Sequence, residues 1–265
     1  MSFRVELPET FAQRLDAAQA SSDSSPLIGA WASAGSEANA EILASAGFDW
    51  LLIDGEHSPY GLETLTSLLR ATDAYPATRV VRIPINSTVL IKQYLDLGAQ
   101  NLMIPMVDTA AEAEEAVSAM HYPPRRVRGV GAALARSSRW NGVPDYLANA
   151  ADTISLTIQI ESAAAVDNAA DIAAVEGVDC LFVGPSDLAA SMGYLGQQTH
   201  PEVLDAVAHT FEAVKAAGKH VGVNAFNQEQ AQKYLDAGAS FVAVGADVQL
   251  LAGAARSLAA QFNQG

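Results

Sequence analysis

Short apolar runs alternating with amphipathic stretches, eight times over, constrain this chain more than any other feature. Strands are expected at Leu27–Ala32, Trp50–Asp54, Arg79–Ile83, Asn101–Pro105, Ser155–Glu161, Cys180–Gly184, His220–Asn224 and Phe241–Gly245. Most are rich in Val, Ile and Leu without a polar face, as strands covered on both sides should be. Between them the spacing predicts helices, among them Leu62–Thr72, Val89–Leu97, Ala110–Met120, Val203–Ala217, Gln228–Ala237 and Leu250–Phe262. Gly47, Gly98, Gly218 and Gly238 stand where a left-handed residue closes a helix. Strand then helix, repeated, means a parallel α/β arrangement, and eight repeats close it into a (β/α)8 TIM barrel. A doubly wound sheet is the rival. If it bound a dinucleotide it would carry a Gly-rich phosphate turn after an early strand, and neither of the first two strands is followed by one.

The 265 residues fit one undivided barrel domain, 1–265, with residues 1–25 as an N-terminal helix and linker. The helix is expected over Pro8–Ala20, from Leu7, Phe11, Leu15 and Ala18, and Ser21–Ser25 forms a polar linker. A net charge of −15 argues against general affinity for nucleic acid or anionic membranes. The single Cys180 excludes an intramolecular disulfide and reads as a core thiol in a reducing cytoplasm. Met1–Glu6 shows no basic-then-apolar signal pattern, and no apolar run is long enough to span a bilayer, so a soluble cytoplasmic protein is expected. Tyr122–Ala151 interrupts the pattern with Pro123-Pro124, Gly129-Val130-Gly131, Trp140 and five arginines: Arg125, Arg126, Arg128, Arg136 and Arg139. A short extra strand is expected there. The arginines read either as a solvated, salt-bridged surface or as a subunit interface or anion contact.

In such a barrel the carboxyl ends of the strands share one rim, and function is built there. His57, Arg82, Glu161 and Asp187 all fall at that rim. Glu161 and Asp187 are two hard carboxylates which, with water and substrate oxygens, suit Mg²⁺ or Mn²⁺. Gly184-Pro185-Ser186 brings backbone N–H groups to a helix start, where a substrate carboxylate is welcome. In Asp54-Gly55-Glu56-His57, a carboxylate bonded to one ring nitrogen orients the base and leaves the other nitrogen for proton transfer. Arg82 at a strand end is costly unless it meets an anion. Gln159 points to the same side of its strand as Glu161, and Trp31 reads as a pocket wall. Simple capping roles for Asp54 and Asp187, a cap or salt bridge for Glu161 and a structural ion pair for Arg82 stay open. The four lysines, Lys92, Lys215, Lys219 and Lys233, all sit on helices or helix ends. A Schiff-base mechanism needs a lysine at the mouth, so electron withdrawal is assigned to a metal.

The runs Asp49–His57, Ile104–Val107, Tyr122–Arg125, Arg128–Gly131, Ile158–Glu161 and Phe182–Leu188 together resemble the HpcH/HpaI aldolases. These are the class II, pyruvate-dependent, 4-hydroxy-2-oxoheptanedioate aldolase family, and the similarity runs from about Leu27 to Phe262. The resemblance implies a barrel with an exchanged last helix, assembled as a homohexamer of paired subunits, and a divalent metal (Mg²⁺ or Mn²⁺, with Co²⁺ also admissible). By motif, Glu161 and Asp187 match the metal ligands, His57 the base and Arg82 the group that stabilises the enolate. Asp96 matches an aspartate given the role of histidine partner, a role for which Asp54 is the other candidate. Gln159 and Gly184–Ser186 match substrate-orienting positions. Where the family has Gly-Ile/Val-Leu this chain has Gly222-Val223-Asn224, a departure that leaves the acceptor aldehyde open: Asn224 either faces the aldehyde or bonds locally at the strand end. The expected activity is reversible cleavage of 4-hydroxy-2-oxo acids to pyruvate and an aldehyde. The competing readings are a barrel lyase acting on an acyl-CoA and a non-catalytic keto-acid-binding barrel.

Overall fold

Eight parallel strands close on themselves: β1 (Leu27–Ala32), β2 (Trp50–Asp54), β3 (Thr78–Arg82), β4 (Asn101–Ile104), β5 (Ser155–Ile160), β6 (Cys180–Val183), β7 (His220–Asn224) and β8 (Phe241–Ala246), with β8 pairing back to β1. The computed structural model describes residues 5–21 and 25–263; Met1–Arg4 and most of the expected Ser21–Ser25 linker lie outside them. The helices are α1 (Phe11–Ala20), α2 (Glu37–Ser45), α3 (Leu62–Ala71), α4 (Thr88–Asp96), α5 (Ala110–Met120), α6 (Tyr146–Asn149), α7 (Ala163–Asp167), α8 (Ala169–Ala174), α9 (Pro185–Ser191), α10 (Pro201–Ala216), α11 (Gln228–Asp236) and α12 (Asp247–Phe262). This is the TIM-barrel architecture expected, preceded by one extra helix.

Alternation along each strand sends every second side chain into the barrel. Trp50 and Leu52, Val80, Met103, Cys180 and Phe182, and Phe241 and Ala243 fill it as one buried cluster. Its centre is aromatic, with Trp50 lying 6.2 Å from Phe182 and 5.6 Å from Phe241, ring to ring. Room for Phe241 comes from Gly222 on the neighbouring strand, where a Cβ would lie 2.3 Å from the Phe241 ring. The Cys180 thiol is fully buried here, and that burial pushes its pKa up, as an inert core thiol requires.

The amino-terminal end of the barrel is plugged by α1. Its buried Phe11 ring sits 5.3 Å from Trp50 and 5.0 Å from Phe241. The Phe11 N–H donates to Asn101 Oδ1 at 2.7 Å, and Arg14 donates to the carbonyls of Asp49 and Pro76. Truncating such a buried aromatic to Ala costs about 3–5 kcal/mol. With that end sealed, the carboxyl end is left open for chemistry.

The expected extra strand in Tyr122–Ala151 does not form. That stretch folds into 3-10 turns at Ala132–Leu134, Arg136–Ser138 and Ala150–Thr153 together with α6. Arg139, Trp140 and Asn141 have φ of 51°, 54° and 65°, and three successive left-handed residues cannot extend into a ladder. Nor is the arginine cluster mainly solvated. Arg125 pairs at the surface with Glu176, but Arg128 and Arg136 are buried, with Arg128 3.0 Å from Asp96 and 4.4 Å above the Tyr122 ring.

Candidate active site

The β2–β3 register sets Asp54 directly beside Arg82, so two inward-facing opposite charges meet at the rim. Nε of Arg82 donates to Asp54 Oδ1 at 2.9 Å, Nη2 lies 2.9 Å from the same oxygen, and Nη1 lies 2.7 Å from Glu56 Oε2. The guanidinium also stands 4.4 Å above the Trp31 ring. Arg82 and Asp54 are each only 3% exposed, so the charge survives burial because it is paired and stacked. The Asp54 hydrogen bond uses the Nε–H and leaves spare donors on the terminal nitrogens.

Asp54 also accepts the backbone N–H groups of Glu56 (3.1 Å) and His57 (3.4 Å). The expectation that Asp54 bonds the His57 ring is therefore corrected. Its carboxylate is spent on Arg82 and on the turn, because the register delivers Arg82 to it first. The carboxylate beside the ring is Glu56, with Oε2 3.8 Å from His57 Nε2. Sequence reasoning passed over Glu56, although it sits inside the Asp54–His57 motif. The His57 side chain is 67% exposed and stands at the open side of the mouth. Asp96, at the last turn of α4, bonds Arg128 instead, and among the described residues it makes no hydrogen bond or ion pair with His57.

Glu161 follows β5 and is buried. Its Oε1 accepts the Met106 N–H at 2.7 Å, and its Oε2 accepts the Gln159 amide. Met106 has φ of 52°, so the backbone after β4 turns through the left-handed region where that N–H is presented. Burial pushes the Glu161 pKa up to about 7; Met106 N–H and Arg82 oppose this, while Glu56 and Asp187 reinforce it. Glu56 is also raised, first by burial. Asp187 lies in the first turn of α9, exposed, and no side chain caps that helix, so its carboxylate is not consumed locally. Gly184 allows the close approach: a Cβ there would lie 2.9 Å from both Gln159 Nε2 and Glu161 Oε2. Pro185 is buried beside it, and the Ser186 hydroxyl accepts the Gln198 amide at 2.6 Å.

Glu56 and Glu161 thus stand near each other and near Asp187, and the buried counter-charge beside Asp54 and Glu56 is Arg82. That surplus of hard anionic oxygen fits a divalent cation. Among the described residues no three of His, Cys, Asp or Glu form a complete metal cluster. A cation held by Glu161 and Asp187 would take its remaining ligands from water and substrate.

Among the buried polar atoms that lack a hydrogen-bond partner, three belong to residues expected at the mouth: Trp31 Nε1, Gln159 Oε1 and Asn224 Oδ1. Each belongs to a side chain at or near the carboxyl end of its strand, β1, β5 and β7. Asn224 shares the inward parity of Gly222. Such atoms are costly unless something polar meets them, and a substrate in the mouth would do so. None of the four lysines is there: Lys219 Nζ donates to Val178 O at the opposite end, Lys215 to Ala237 O, Lys233 pairs with Glu229, and Lys92 lies on α4.

Residues 27–254 match the profile of the family described as HpcH/HpaI aldolase/citrate lyase. The chain is 52% identical over 237 residues to a Shigella sonnei 4-hydroxy-2-oxo-heptane-1,7-dioate aldolase, covering 89% of this chain and 90% of the relative. It is equally identical to a Deinococcus radiodurans hydroxypyruvate/pyruvate aldolase, covering 89% and 86%. Among solved structures, an HpcH/HpaI aldolase/citrate lyase family protein from Burkholderia cenocepacia superposes with a TM-score of 0.89 at 41% identity, covering 94% of this chain and 97% of that one. Barrel and relatives agree, and the chain belongs to the HpcH/HpaI aldolase/citrate lyase family.

Proposed function

We propose that this enzyme is an aldolase that reversibly cleaves 4-hydroxy-2-oxo acids to pyruvate and an aldehyde. The observation that carries the reading is the pairing, at one mouth, of a buried guanidinium with a surplus of carboxylates. Glu161 and Asp187 are the side chains that would hold a divalent metal, Mg²⁺ or Mn²⁺ by the hardness of the oxygens. When bound, such an ion supplies Lewis-acid polarisation of the keto oxygen.

His57 takes the proton from the C4 hydroxyl, the C3–C4 bond breaks, and the electron pair moves through C3–C2 onto the keto oxygen. The spare N–H donors of Arg82 face that developing charge, where fixed donors contribute most. Returning the proton to C3 gives the pyruvate methyl group. Glu56 stands beside the imidazole, its Oε2 3.8 Å from His57 Nε2. Gln159 and the Gly184–Ser186 turn orient the 2-oxo acid, while Trp31 and Asn224 line the aldehyde side. Asp96 would serve His57 only across a subunit boundary.

A homohexamer of paired subunits is part of the proposal. On α12 only Asp247 is buried, and Val248, Leu250, Leu251, Leu258 and Phe262 stand exposed, an apolar row suited to exchange with a second copy. The buried free Cys180 suits a reducing cytoplasm. The test is pyruvate release from a 4-hydroxy-2-oxo acid, before and after chelation and on return of metal. Turnover that follows the metal supports the proposal; absence of release with every metal and a panel of 4-hydroxy-2-oxo acids removes it.

A further inference from the structure

At the sealed, amino-terminal end of the barrel a cavity of about 780 Å³ opens between the segment before α1, the Asp73–Thr78 loop and the turn that bears Arg136 and Arg139. Arg79, Arg136 and Arg139 border it, their side chains only 13%, 9% and 16% exposed. All three lean on one carboxylate, Asp73, at 3.1, 2.8 and 3.6 Å. Their other recorded partners are neutral carbonyls: Ala77 O for Arg79, Leu97 O for Arg136 and Arg136 O for Arg139. Four arginines line the cavity, Arg14 among them, against three carboxylates, of which Asp73 is the one paired with Arg79, Arg136 and Arg139, so the site keeps spare guanidinium N–H groups in a chain whose net charge is −15. Burial first, and the neighbouring Arg139 as well, hold Arg79 and Arg136 below the ordinary arginine range, the mark of crowded, partly desolvated cations. Glu6 and Glu9 also line the cavity but are exposed, and neither is paired with these arginines.

A guanidinium with free N–H groups matches two oxygens of a carboxylate or phosphate at once. The same cavity is walled by Leu69, Tyr75 and Pro76, so it offers apolar contact beside the charge. We propose that this cavity is a binding site for a small organic oxyanion, an acidic head with a short apolar body, separate from the catalytic mouth. The head sits against Arg79, Arg136 and Arg139, and the body against Leu69 and Tyr75. The occupant bridges the segment before α1 to the barrel wall.

The probes are phenyl phosphate, benzoate and inorganic phosphate, titrated calorimetrically into the full chain. Phenyl phosphate or benzoate should bind at one site per chain and more tightly than inorganic phosphate, and the tighter of the two identifies the head group. Arg139→Gln should weaken binding about tenfold or more, the loss of one charge-assisted contact. Asp73→Asn should tighten it, because the competing carboxylate is gone. Asp187→Asn, at the far end of the barrel, should leave probe binding at this cavity unchanged whether or not the proposed reaction is correct. A folding defect would weaken both cavity variants, so their opposite signs carry the test. No binding by any probe, equal binding in Arg139→Gln, or no tightening in Asp73→Asn overturns the proposal.

Discussion

Replacing Arg82 by Met isolates the ion pair on which the site is built. The substitution keeps an unbranched chain and its packing against Trp31 but leaves the buried Asp54 without its counter-charge. Removing one partner of a buried pair costs about 3–5 kcal/mol. Asp54 keeps two backbone N–H donors, from Glu56 and His57, which places the expected loss near the lower end. At roughly 2–4 °C per kcal/mol for a domain somewhat smaller than this one, about 3 kcal/mol lowers Tm by on the order of 6–12 °C. The double variant Asp54→Leu/Arg82→Met should recover most of that, since an apolar pair of similar volume needs no counter-charge. It should recover no activity, because the donors facing the keto oxygen are absent. The assay is thermal unfolding of both single variants and the double variant, alongside pyruvate release. A single variant melting within about 2 °C of wild type, or a double variant no more stable than Arg82→Met, would refute the argument.

Other substitutions read the mouth piece by piece. His57→Ala should lose on the order of 10²–10⁴-fold in turnover while still binding metal; unchanged exchange of the pyruvate methyl protons would remove its role as base. Asn224→Leu should lower the ratio of kcat/KM for glycolaldehyde over propanal in the condensation direction, because the unpartnered amide no longer meets a hydroxyl; an unchanged ratio means that Asn224 does not select the acceptor. Borohydride with pyruvate should leave the protein mass unchanged, and a pyruvyl adduct on any lysine would contradict the non-covalent reading.

The barrel was legible because its strands carry a two-sided apolar code and its helices a one-sided one, and these two periods cannot be confused over eight repeats. The rim followed from the same parity, which sends Arg82, Gln159 and Asn224 inward. Partners were harder to read, since they depend on register. Asp54 and Arg82 lie 28 positions apart, and only the β2–β3 register sets them side by side. Once Arg82 takes Asp54, the carboxylate left for the imidazole is Glu56, which could have been inferred from its place in the motif. The fate of the arginines in Tyr122–Ala151 was illegible because it depends on three left-handed residues that no periodicity announces. Asp96 shows the opposite case: spacing left it on a helix surface, family resemblance gave it a catalytic partner, and within the chain it pairs with Arg128.

On the proposed reading, carbanion chemistry at this mouth needs a metal held by Glu161 and Asp187. Deuterium incorporation into the pyruvate methyl group, read by mass spectrometry in heavy water, isolates proton transfer from aldehyde binding. Chelated enzyme should show only background incorporation. Mg²⁺ or Mn²⁺ should restore it in the wild type, and Glu161→Gln and Asp187→Asn should lose metal affinity and exchange together. Full-rate exchange in rigorously metal-free enzyme, or in both carboxylate variants, would contradict the account.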